Sequence, residues 1–173
     1  MLESKRIPVA ISKRLLFLFL SLAFILSYGC QKSNDSAEAL LSASGWKYVN
    51  FEKREVRSGV PKAWISYITT WDTCKKDNIT LFKSDGAYEE NEGATKCSIY
   101  LPQAFKTGSW SLLSNNTQLR VDELPEAPIN IHFYDITILD KNTLQLQMQG
   151  GPISYPIGNV PPDYEELRWT YSH

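Results

Sequence analysis

Two histidines and three cysteines are the scarcest groups in this chain that could move protons, attack bonds or hold metals. Their placement argues against all three roles. His132 lies beside Phe133 on the polar phase of an alternating segment, where a lone histidine reads as a surface residue. His173 is the final residue. No HExxH, GxSxG or P-loop pattern occurs. Asp72, Asp77 and Asp85 are spaced unlike a calcium-binding loop, and a turn explains Asp85. The sequence therefore predicts no enzyme, no catalytic residue, no metal site and no cofactor. Burial chemistry remains. Aromatic residues make up 12% of the chain, with five Trp and nine Tyr. Flat rings suit a pleated, half-buried surface.

The cysteines are explained by export. Lys5, Arg6, Lys13 and Arg14 precede an apolar run, Leu15 to Leu26, broken only by Ser21. That run is too short for a mature membrane span and reads as a signal-peptide core over residues 1–29. The next residues, Leu26-Ser27-Tyr28-Gly29-Cys30, resemble a bacterial lipobox. The resemblance implies cleavage after Gly29 and lipid on Cys30; the alternative is ordinary secretion with an incidental cysteine. Lipid on Cys30 would anchor the protein to the bacterial cell envelope, at the outer membrane. Processing would leave 14 basic residues against 18 acidic ones, so charge would not hold the chain to a membrane. The full chain carries a net charge of −1, which excludes the basic field that nucleic acid needs. With Cys30 set aside, Cys74 and Cys97 remain as one pair in an oxidising compartment. A disulfide between them would be worth about 3.5 kcal/mol in the chain-entropy model. The rival is a metal site, which would need more ligands than the CxxC-free, His-poor surroundings supply.

The elements that position these residues are strands. The chain of 173 residues suits a single domain. Residues 30–44 read as a polar tether with a short helix over Ala37 to Leu41, capped by Ser36 or Asp35 and ended by Gly45. Asp35-Ser36-Ala37 also resembles an acceptor motif for O-linked glycans. From residue 45 to 173 the pattern has a period of two. Leu119 and Val121 alternate with polar neighbours, as do Leu144, Leu146 and Met148, and Leu167, Trp169 and Tyr171. Further strands are expected at 46–52, 62–71, 78–83, 86–90, 95–101, 107–113 and 129–139. Ser84-Asp85-Gly86 and Ser114-Asn115-Asn116 carry hairpin chemistry. Ile131 and Phe133 fall on odd numbers but Ile136 and Ile138 on even ones, so a β-bulge is expected near Tyr134-Asp135. Residues 150–163, with four Pro and three Gly, read as a long loop. The fold class is all-β: one antiparallel up-and-down barrel, with a sandwich as the alternative.

Several segments together resemble a known family. They are Asp72-Thr73-Cys74, Leu81-Phe82-Lys83-Ser84-Asp85-Gly86, Glu92-Gly93-Ala94-Thr95-Lys96-Cys97 and Thr107-Gly108-Ser109-Trp110. Their types and order resemble the lipocalin-like domain of small Bacteroidota lipoproteins, over about residues 45–148. The resemblance implies a calycin-type barrel and no particular activity. Gly45-Trp46 is similar to the first-strand signature of true lipocalins. There a last-strand Arg covers the Trp, a role open to Arg168.

The inward phase would then carry Trp46, Tyr48, Leu81, Trp110, Leu112 and Leu119. Phe133, Leu144, Leu146, Trp169 and Tyr171 would complete it, with Trp64, Tyr67 and Trp71 as an aromatic cluster on a neighbouring strand. Eight strands leave an interior that side chains fill or that holds one small ligand. The expected function is therefore a lipid-anchored carrier for a small hydrophobic or aromatic molecule. The alternative is a non-catalytic envelope interaction module with a filled core. The membrane and a small ligand are the partners expected; protein partners stay open.

Overall fold

The computed structural model describes residues 36–124, 130–153 and 163–173. The expected leader, Cys30 and residues 154–162 of the Pro/Gly-rich segment lie outside them. Among the described residues the chain forms ten strands. They are β1 (Trp46–Arg57), β2 (Val60–Pro61), β3 (Ile65–Ser66), β4 (Ile79–Phe82) and β5 (Ala87–Asn91). β6 (Ala104–Leu113), β7 (Gln118–Leu124), β8 (Asn130–Leu139), β9 (Thr143–Pro152) and β10 (Tyr164–Ser172) follow. β4 to β10 form an antiparallel meander, and β1 joins its two edges, closing an eight-stranded barrel. The two contacts of β1 are unequal. Nine residues pair with β10, but only Trp46 and Lys47 pair with β4. β2 and β3 cover the rest of that edge. Among the described residues no helix is long and apolar enough to cross a membrane.

The β4–β5, β6–β7 and β8–β9 turns are tight and lie at one end, the base. Gly86 (φ +86°) and Ser114, Asn115 and Asn116 (φ 52°, 54° and 67°) supply the left-handed backbone that short hairpins require. Helix α1 (Ala37–Ser42) caps this end. The Ser36 hydroxyl accepts the Ala39 amide at 3.1 Å, so this serine serves as a helix N-cap. Leu41 plugs the base with no exposed surface, and its carbonyl accepts the Trp46 indole N–H at 2.9 Å. The longer connections lie at the opposite end, the mouth.

Four strand expectations need correction. Residues 62–71 form only the two-residue β3 and a 3-10 turn at Ile68–Thr70. Pro61 has no N–H to continue the ladder. Trp64 then leaves the sheet to lie between two guanidinium groups on the outer surface, 4.4 Å from Arg54 Cζ and 4.1 Å from Arg168 Cζ. Residues 95–101 form no strand, because Cys97 is bonded to Cys74 on the short helix α2 (Thr73–Lys76). The loop assigned from residue 150 begins later, since β9 continues to Pro152 opposite Tyr164. The bulge in β8 is present, but at Thr137 rather than at Tyr134-Asp135. There the Thr137 hydroxyl donates to Gln145 Oε1 on β9 at 2.9 Å.

Candidate functional site

The inner face changes character along the barrel axis. At the base it is dry. Trp46, Leu119 and Leu144 have no exposed surface, Leu146 has 2%, and Val121 has 2%. Phe82 packs 5.7 Å from both Trp110 and Tyr88. Such a core is filled by interlocking side chains, as eight-stranded barrels permit.

Two sequence-derived lining residues are not there. Phe133 is 49% exposed. The β7–β8 register explains why: buried Leu119 and Val121 lie opposite Tyr134 and His132, while Arg120 lies opposite Phe133. Phe133 is therefore on the outer face, with Arg120 Cζ 6.0 Å from its ring. Leu81 is also on an outer face. Thr80 and Phe82, its neighbours, point inward, and the Gly45 turn packs over Ile79 and Leu81. Periodicity could not decide this phase, because Leu81 and Phe82 are both apolar. Arg168 does not cover Trp46. Its Nε donates to Glu52 at 2.8 Å on the outside of the sheet, and the His173 ring, 3.8 Å away, covers Trp46 instead.

Above the core the interior opens. A cavity of about 310 Å³ is lined by Tyr88, Glu123, His132, Met148, Leu167 and Tyr171, among others. A second, of about 300 Å³, lies against Trp71, Asn78 and Phe105. Both are lined by Tyr48, Glu90, Lys106 and Trp169, so they lie side by side as two lobes that share these walls. Its walls are aromatic. The Tyr48 ring lies 4.7 Å from Tyr171 and 5.3 Å from Trp71; Trp169 lies 5.5 Å from Tyr134. A bulge at Val49 in β1 shifts the register and brings both Tyr48 and Phe51 into line with their β10 partners, Tyr171 and Trp169.

Charged groups stand among these rings. Glu90 is 5% exposed. It accepts from the Tyr48 hydroxyl at 3.2 Å and pairs with Lys106 Nζ at 3.2 Å. Lys106 also pairs with Glu123 at 3.3 Å. His132 Nε2 lies 3.8 Å from Glu123. Burial alone would lower the Lys106 pKa, but the two carboxylates outweigh it and hold the ammonium above the ordinary lysine value. Burial, reinforced by the nearby carboxylates, pushes Tyr48, Tyr88, Tyr134 and Tyr171 well above the usual tyrosine range. All four are neutral hydroxyls at physiological pH. Asn78 Oδ1 and Glu92 Oε2, both fully buried, have no hydrogen-bond partner among the described residues.

The chamber thus contains four polar groups that sequence reasoning did not place there: Glu90, Lys106, Glu123 and His132. A signal for three of them was present. Glu90 continues the inner phase of Tyr88, Lys106 that of Trp110 and Leu112, and Glu123 that of Leu119 and Val121. His132 was hidden by the apolar outer face of β8. Fold and site together define a closed antiparallel barrel with a packed base and a polar-aromatic chamber at its mouth. No protein-family model matches the chain, and no curated protein matches it.

Proposed function

We propose that this barrel is a lipid-anchored binding module that takes one small ring-bearing molecule into its mouth. The observation that carries the reading is the chamber: two neighbouring lobes of about 300 Å³ each, the first walled by Tyr48, Tyr134 and Trp169, above a dry core. That size is at the lower end for small-molecule sites, and few convergent polar groups among rings are their usual lining. The resemblance to lipocalin-like Bacteroidota lipoproteins, and the Gly29-Cys30 pair, support an envelope location with lipid on Cys30. The chemistry differs from a purely hydrophobic carrier, because charged side chains stand in the chamber wall. Ile99 and Tyr100, 81% and 90% exposed beside the Cys97 bond, favour a second reading as an interaction module. Native mass spectrometry of the protein purified from the organism that makes it separates the two. The binding reading expects a small molecule retained by the wild type and lost in Met148→Trp, which fills the chamber. A wild type that carries nothing and binds no ring-bearing probe at millimolar concentration leaves the interaction module as the better reading.

A further inference from the structure

The charge inside the chamber is unbalanced, and that identifies the kind of ligand. We propose that the chamber selects a positively charged, ring-bearing molecule, with its ammonium group beside Glu90 and Glu123. This inference rests on the binding reading above. Two carboxylates share one ammonium: Lys106 Nζ is 3.2 Å from Glu90 and 3.3 Å from Glu123. His132 Nε2 stands 3.8 Å from Glu123. Lys75, at the edge of the second lobe, is paired with Asp72 at 3.1 Å. β1, β9 and β10 contribute Tyr48, Met148, Leu167, Trp169 and Tyr171 to the walls, and none of these is charged. The tyrosines are held in their neutral form by burial. The walls among the described residues therefore hold one more carboxylate than ammonium, and the two carboxylates are the more buried groups: the Glu90 and Glu123 side chains are 7% and 17% exposed against 43% for Lys106.

An uncompensated charge away from water is costly, and a cation brought in by a ligand relieves it. The rings of Tyr48, Tyr134 and Trp169 add cation–π attraction for the same charge. An anionic ligand would put a third negative group against a single lysine. A bare metal ion fits poorly: the chamber is far larger than a coordination shell, and among the described residues no three His, Cys, Asp or Glu converge to hold one.

Calorimetric titration at pH 7.5 with three probes of one shape tests this: 2-phenylethylamine, 2-phenylethanol and 3-phenylpropanoate. The amine should bind about tenfold or more tightly than the alcohol, with the carboxylate weakest. Glu123→Gln should remove most of the amine's advantage and leave the alcohol within about twofold. Lys106→Met should strengthen amine binding, which a merely damaged chamber would not do. Circular dichroism of each variant checks the fold. Equal affinities for the three probes, or a preference for the carboxylate, would overturn the charge assignment while the binding reading stood. Failure of all three to bind the folded wild type would overturn both.

Discussion

The base and the mouth of this barrel are made from the same strands, yet they have opposite interiors. Along β7, Leu119 and Val121 are buried at the base and Glu123 lies at the mouth. Along β5, Tyr88 gives way to Glu90, and along β6, Trp110 gives way to Lys106. Neighbouring strands run in opposite directions, so the charged residue comes late in β5 and β7 but early in β6. The polar end is thus one level of the barrel, although it is scattered in sequence. The base has the short hairpins, the α1 cap and the Trp46 plug. The mouth has the long connections and the disulfide. One end supplies stability and the other supplies room, which is how a small barrel can hold a polar chamber without losing its core.

The comparison can be broken most sharply with alkali. Tyr48, Tyr88, Tyr134 and Tyr171 have folded pKa values raised by burial, while an unfolded tyrosine titrates near pH ~10. A raised value means that the stabilisation is complete below the unfolded pKa and is lost as pH climbs towards the folded one. Lys106, also raised, acts with the same sign. Each buried tyrosine should cost about 1.4 kcal/mol per pH unit above ~10, so the four together cost on the order of 5 kcal/mol by pH ~11. Urea titrations at pH 8.5 and 11, with tyrosinate absorbance read alongside, should show cooperative loss of stability and ionisation only on unfolding. Stepwise ionisation in a folded protein would mean that these hydroxyls are open to water.

A change at the base comes next. Trp46→Ala should cost about 3–5 kcal/mol, since it empties a fully buried site and abandons the indole bond to Leu41. Chemical denaturation measures it, and a loss below about 1 kcal/mol would show that the base is not the stabilising end. At the mouth, the double Cys74→Ala, Cys97→Ala variant should lose about 2–4 kcal/mol while keeping its preference for the amine, because Glu90, Lys106 and Glu123 sit on barrel strands and not on α2. A lost preference would show that the segment around α2 sets the charge selection. The smallest effect belongs to the outer face. Phe133→Ser should shift stability by about 0.5 kcal/mol or less. A loss of core size there would reverse the phase of β8.

Much of this architecture was legible before any coordinates. Two hairpins carried their turn residues, and the alternation in β7, β9 and β10 placed most of the dry core. The Cys74–Cys97 pairing followed from parity. What was not legible depends on contacts between distant strands. β8 presents Ile131 and Phe133 outward and His132 and Tyr134 inward because of its register with β7, which periodicity within one strand does not contain. β4 is ambiguous for a similar reason: Leu81 and Phe82 are equally apolar, and only pairing with β5 distinguishes them. The aromatic segment around Trp64 was read as a strand because rings favour sheets. Its tryptophan instead stacks on arginines that lie about 10 and 104 positions away in the chain, a contact that no local pattern announces. The charged groups of the chamber were missed because each inner phase was followed only as far as its apolar residues extended.

The central claim is that the mouth, and not the base, receives a small molecule. The chain has two methionines, and only Met148 lies among the described residues, in the wall of the chamber. Carbon-13 labelling of the methionine methyl groups therefore gives a probe resonance at the site itself. Titration with 2-phenylethylamine should move the Met148 methyl signal saturably, with nuclear Overhauser contacts to the phenyl protons. A Met148 resonance that stays fixed up to millimolar probe, in a protein that remains folded, would contradict the account.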